Sequence, residues 1–243
     1  YPNGAAADPR TVGQIMLFRV VASTGPDNST VPANLTSLTK LSNPTVTRVM
    51  TLNEKPGETG PFSAFLNGMP FDAPATERPT VGTTEMWEIV NMTGDAHPIH
   101  LHLTQFQMLN RQKINATKYA KAFANVNPVL GADSYVPVAP GPYLKGSKVA
   151  PDPNERGWKD TFRMNPGEVS RILVRFAPQD NSPAFAFDAT ASPGYVWHCH
   201  ILEHEENDMM RPYHLVAPAP LAKAAARGAA ETARGETMLL SPH

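Results

Sequence analysis

Residues 195–204 read Tyr-Val-Trp-His-Cys-His-Ile-Leu-Glu-His, and residues 97–102 read His-Pro-Ile-His-Leu-His. Tyr-Val-Trp at the head of the first stretch, and Ile99 and Leu101 between the histidines of the second, give both a strand composition. Successive side chains of a strand point to opposite faces. His198 and His200 therefore face one way and Cys199 the other. His100 and His102 share a face likewise. His97 lies three residues back, beyond Pro98, and can swing to the other side. Two groups result: Cys199 with His97 and His204, and His100 with His102, His198 and His200. No mononuclear site can use His198, Cys199 and His200 together, so this strand runs between two metal sites.

Strand-like runs recur on either side of these stretches. They cover 13–22, 46–52, 62–66, 84–91, 99–109, 158–164, 168–176, 195–200 and 209–216. Met164-Asn165-Pro166-Gly167-Glu168 reads as the turn of a hairpin. Many short strands with turn signals between them predict an all-β fold, a Greek-key barrel or sandwich. Residues 110–157 interrupt the pattern. Within them 116–125 predicts a short helix and the remainder a long Pro/Gly-rich loop. Residues 23–45 read as a linker, and 217–243 as a flexible tail with no clear apolar face.

The composition agrees with this outline. A chain of 243 residues holds one large domain, or one domain and part of another. Apolar residues make up 41% and charged residues 18%, which suits a folded chain. Lys and Arg number 21 against 22 Asp and Glu, so the formal charge is −1 and no basic excess marks a nucleic-acid binder. The apolar runs fall far short of the ~20 residues that span a bilayer. Twenty-five prolines disfavour helix interiors and favour β-structure with many loops. The single cysteine leaves no disulfide within the chain. Asn-x-Ser/Thr sequons occur at Asn28, Asn34, Asn91 and Asn115.

The two histidine groups call for different chemistry. Two imidazoles and a thiolate, with a distant thioether from Met209, form the His2Cys set with a weak axial methionine that marks blue copper. Met210 is the other axial candidate. Zinc is the alternative metal, but it takes four strong ligands and no second thiolate exists here. Four imidazoles suit copper among other metals. A cupredoxin used only for electron transfer would need the first group and have no use for the second.

His-Pro-Ile-His-Leu-His followed by His-Cys-His-Ile-Leu-Glu-His-Glu resembles the C-terminal cupredoxin domain of multicopper oxidases. Residues 80–103, 157–161 (Gly-Trp-Lys-Asp-Thr) and 196–212 resemble the bacterial spore-coat laccase and bilirubin oxidase branch. The resemblance implies that His97, Cys199, His204 and Met209 bind type 1 copper. It implies His100 on type 2 copper and His102, His198 and His200 on the type 3 pair. Glu205 matches an acidic residue that this branch uses to pass protons to the oxygen-reducing centre; its other reading is a solvated surface charge. His214 and His243 match no ligand position.

The same resemblance implies an organisation. Residues 1–22 are expected to be the last strand of a preceding cupredoxin domain and 46–216 the C-terminal one. Four further histidines are expected from N-terminal cupredoxin domains, so the isolated chain is expected to be incomplete. The expected reaction is one-electron oxidation of donors at type 1 copper, through Cys199 and His204, with O2 reduced to water at the trinuclear cluster. Phenols and aromatic amines are the expected donors, with bilirubin or Fe(II) as alternatives. The loop at 110–157 either shapes the donor site or is a plain surface connection. A copper nitrite reductase is disfavoured, because its cysteine has one adjacent histidine and Cys199 has two. The expected location is secreted, extracellular or on a spore or cell surface.

Overall fold

The computed structural model describes residues 8–10, 13–14, 16–31, 33, 38–55, 63–180, 182–183 and 185–219. The tail beyond 219 and His243 lie outside these residues. Two sheets face each other. The larger holds β1 (Val46–Lys55), β2 (Ser63–Leu66), β3 (Thr84–Asn91), β5 (Phe106–Ile114), β6 (Leu144–Val149), β7 (Trp158–Lys159) and β9 (Glu168–Arg175). Its order is β2-β1-β3-β9-β5-β6, with β7 also on β5. The smaller sheet has the order β11-β10-β4-β8, from β4 (His97–Leu101), β8 (Thr161–Met164), β10 (Tyr195–Cys199) and β11 (Met210–Tyr213). The core fills the space between them, with Trp87, Ile89, Phe106, Ile172, Trp197 and Tyr213 at or near complete burial. Buried aromatic side chains of this size dominate the apolar area removed from water.

Helix α1 (Ala116–Val126) covers the outer face of the larger sheet. Asn115 caps it, accepting from the backbone N–H of Lys118 at 3.3 Å. Tyr119 and Phe123, four residues apart on one helical stripe, pack on Val90, Ile114 and Val169. The predicted helix is thus present, and the loop around it also contains β6. A second, four-residue helix, α2 (Leu202–Glu205), follows β10.

Two expectations from the sequence are corrected. The run 99–109 is two strands in different sheets; Leu103, at φ 68°, turns the chain between them. The turn at 164–168 is not a hairpin. It carries the chain from β8 in one sheet to β9 in the other, with Gly167 at φ 66°, a region L-residues disfavour. Residues 16–22 form no strand, and Phe18, Val20 and Val21 are exposed. A strand needs a ladder partner, and no strand among the described residues pairs with this segment. Among the sequons, Asn91 is fully buried and donates to the carbonyls of Asp95 and Met164. No helix among the described residues is long and apolar enough to cross a membrane.

Candidate metal centres

Strand β4 begins at His97, so simple alternation, not a swing past Pro98, separates the histidines. His97, Ile99 and Leu101 are buried on the core side, and His100 lies on the opposite side. Antiparallel pairing of β4 with β10 sets His100 opposite His198 and Ile99 opposite Cys199. Two groups of ligand atoms converge: His97 with Cys199 and His204, and His100 with His102 and His198.

The first group is compact and dry. His97 and Cys199 are fully buried, and His204 is half-buried in α2. The Nδ1 atoms of His97 and His204 lie 3.1 Å apart, and Cys199 Sγ lies 3.7 and 3.8 Å from them. The circumradius of this triangle, the product of its sides over four times its area, is about 2.1 Å, close to metal–imidazole and metal–thiolate bond lengths. Met209 is fully buried beside them. Its N–H donates to His204 O at 3.0 Å, and its carbonyl accepts from Cys199 N–H at 2.9 Å. Met210 instead sits in β11 opposite His198.

The surroundings orient these ligands. Thr93 Oγ1 donates to Asn91 Oδ1 at 2.8 Å and so can only accept, at 2.7 Å, from His97 Nε2. That fixes the His97 proton on Nε2 and leaves Nδ1 free for a metal. Glu54 Oε1 lies 3.2 Å from the same Nε2. Glu54, Asp95 and His204 also bring ligand atoms together. Burial, then neighbouring His97, lowers the His204 pKa, which keeps the imidazole neutral. Burial pushes the Cys199 thiol up to about 11, so a metal must displace its proton.

The second group is open. His198 is buried and His100 half-buried, while His102 and His200 are exposed. His198 Nε2 and His102 Nε2 face each other at 3.2 Å. His198 Nδ1 lies 3.0 Å from the Cys199 carbonyl and 3.2 Å from Glu205 Oε2, both acceptors, so its proton is on Nδ1. His100 Nδ1 donates to Asp160 O at 2.9 Å, leaving its Nε2 free. Burial lowers the pKa of His100 and of His102. His200 stands at the margin, its ring 5.6 Å from His100 and 5.4 Å from His198. His214 joins neither group among the described residues.

The donor sets fit metals on their own evidence. Imidazole nitrogens face each other at 3.1 Å in the first group, with Cys199 Sγ as third donor, and at 3.2 Å in the second, so neutral imidazoles bring several donor atoms within reach of one ion in each.

A sequence model of the multicopper oxidases matches residues 38–217. This chain belongs to the multicopper oxidase family. It is 38% identical to multicopper oxidase LPR2 of Arabidopsis thaliana over 221 residues, 89% of this chain and 37% of that protein. It is 37% identical to the laccase of Bacillus subtilis (strain 168) over 218 residues, 88% of this chain and 37% of that one. The chain therefore spans little more than a third of these relatives. The crystal structure of McoA multicopper oxidase from Aquifex aeolicus shares the fold, with a TM-score of 0.50 and 24% identity over 76% of this chain and 33% of that one. The all-β architecture is that of the cupredoxin domains of this oxidase family, and copper is the family's metal.

Glu54, Thr93, Asn91 and Asp160 support the ligands without standing out in the sequence. Asn91 and Thr93 lie in the turn just before His97, and Asp160 falls within Gly-Trp-Lys-Asp-Thr. Nearness to a ligand is the only signal they carry. Glu54 carries none, because it reaches His97 only where the two sheets face each other.

Proposed function

We propose that this chain is the C-terminal part of a laccase-like oxidase that takes electrons singly from small donors and passes them to O2. The carrying observation is that Cys199 faces His97 and His204 while its neighbours His198 and His200 face a second group. His97, Cys199, His204 and Met209 would hold type 1 copper. His100 would hold type 2 copper, and His102, His198 and His200 the type 3 pair, with four more histidines from N-terminal cupredoxin domains. Copper supplies one-electron changes at both centres, four of which match O2 going to two waters. The chain's own residues link the centres. Cys199 is bonded to His198 and His200, and His198 Nδ1 lies within hydrogen-bonding distance of the Cys199 carbonyl, giving a covalent and a hydrogen-bonded path. Glu205, against His198, is placed to hand protons to the oxygen side.

Two donor classes have support. Aromatic donors follow from the laccase relative. A divalent metal-ion donor, Fe(II), is favoured by Glu54 and Asp95 converging with His204.

Copper counting tests the reading. The isolated chain should hold about one tightly bound copper, at the site whose ligands it completes. A protein that also carries the preceding domains should hold four, be blue, and consume O2 with a phenol. A colourless protein with full copper would overturn it.

A further inference from the structure

Arg211 is fully buried, and its guanidinium is committed to one loop. Nη1 donates to the carbonyls of Pro70, Phe71 and Ala73, the last two at 3.2 and 2.8 Å, and Nη2 donates to Pro74 O. A loop with its carbonyls turned inward is costly unless donors meet them, and here one side chain does. The loop is anchored in turn to β1. Asn67 accepts from the backbone N–H of Thr51 at 3.0 Å and donates to Glu77 Oε1 at 2.9 Å. The clamp adjoins the mononuclear centre. Met209, Arg211 and Tyr213 are buried while Met210 and Pro212 are half-buried, so Met209 and Arg211 are neighbours on one face of the strand. A second tie lies on the other side of Met209. Asp208 Oδ1 accepts from the backbone N–H of Phe71 at 3.2 Å, with Asp208 held at φ 74°.

We propose that Arg211 is a positioning residue of the mononuclear centre. Together with Asp208 it fixes the chain on both sides of Met209 to residues 70–74, and so sets how closely the thioether approaches His97, Cys199 and His204. The inference rests on the type 1 copper reading above. A methionine side chain has three rotatable bonds and adapts to whatever space it is given, so its sulfur is placed by the backbone that carries it. That backbone is already bonded to the ligand loop, through Met209 N–H to His204 O and Cys199 N–H to Met209 O. Those bonds hold it from the ligand side only. Arg211 and Asp208 hold it from the opposite side, against a loop pinned to the larger sheet. Arginine suits the task because its planar fork spreads donors over separate nitrogens, whereas a lysine offers three donors from one point.

The test is a double-mutant cycle on the copper-loaded protein, with Arg211→Lys, Met209→Leu and the two combined. It is read by potentiometric titration of the blue band. Arg211→Lys keeps the charge and alters only the geometry of the clamp. It is expected to raise the reduction potential in the same direction as Met209→Leu but by less, because a thioether held less closely is a weaker ligand. In the Met209→Leu background it should produce no further shift. Asp208→Gly tolerates the positive φ and removes the tie to Phe71. Its shift should be smaller and should vanish in the same background, while Asp208→Asn, which keeps an acceptor, should restore the wild-type potential. The Asp208 cycle decides the matter alone where Arg211→Lys fails to fold. Equal shifts with and without the thioether, or no shift in a folded blue variant, would overturn the proposal. A wild-type protein with no blue band would overturn the type 1 copper reading instead.

Discussion

The two faces of β10 carry two clusters of potential metal-binding side chains, one with a thiolate and one of imidazoles alone, in opposite states of closure. On the Cys199 face three ligand atoms form a triangle with sides of 3.1, 3.7 and 3.8 Å, inside the core and backed by Met209. On the His198 face, His100 and His102 border a wide cleft of about 350 Å³, shared with Asp160 and Tyr195, and two of the four imidazoles are exposed. On the function proposed above, the difference follows from which domain would supply the ligands. A group completed by one domain can be built into that domain's core, where burial rigidifies it. A group that another domain would complete has to remain at a surface.

Substitutions on each face put this contrast to the test. Cys199→Ser should have the largest effect, removing both the blue colour and O2 reduction in the complete protein; a surviving blue band would end the assignment. His200→Ala should separate the faces. The colour should persist and bleach on anaerobic addition of a reducing donor, while steady O2 consumption is lost. Normal turnover without colour would reverse the division of ligands. Met209→Leu should leave both activities in place and raise the reduction potential of the blue centre, because a weak axial thioether is exchanged for a non-coordinating side chain. A potentiometric titration that shows no rise would point to Met210.

The smallest effect belongs to a contact outside both faces. Arg111 donates twice to Glu155, at 2.7 and 2.8 Å, and once to Arg163 O, which ties the loop before β7 to the strand beside β4. The Arg111 hydrogen bonds lower the Glu155 pKa. A carboxylate with a depressed folded-state pKa stabilises fully above its ordinary value of 4.5 and loses that contribution as pH falls through the folded-state value. Glu155→Gln should cost about 2 kcal/mol in urea unfolding at pH 7, and progressively less in acid, with the blue band unaltered. A pH-independent difference would show that packing, not charge, is what the mutation removes.

The division of ligands between the faces was legible in the sequence because it is local. Alternation along a strand is set by covalent geometry, so His97 parts from His100, and Cys199 from His198 and His200, whatever the strands pair with; that His97 falls on the side of Cys199 follows from the β4–β10 register. Even the swing expected at Pro98 proved unnecessary, since an offset of three residues already changes face. The helix was legible too, from a capping Asn115 and the Tyr119–Phe123 stripe. Whatever depended on a partner was not. Residues 13–22 look like a strand, but 16–22 form none. Met164–Glu168 has the residues of a hairpin turn and instead joins two sheets, because β8 finds its partner in β4 and β9 finds its own in β3 and β5. The meeting of His102 with His198 required the β4–β10 register, and that of Glu54 with His97 the packing of one sheet on the other. Side-chain direction is a property of one residue's backbone, whereas pairing is decided by which apolar faces can be buried together, and that sum runs over the whole chain.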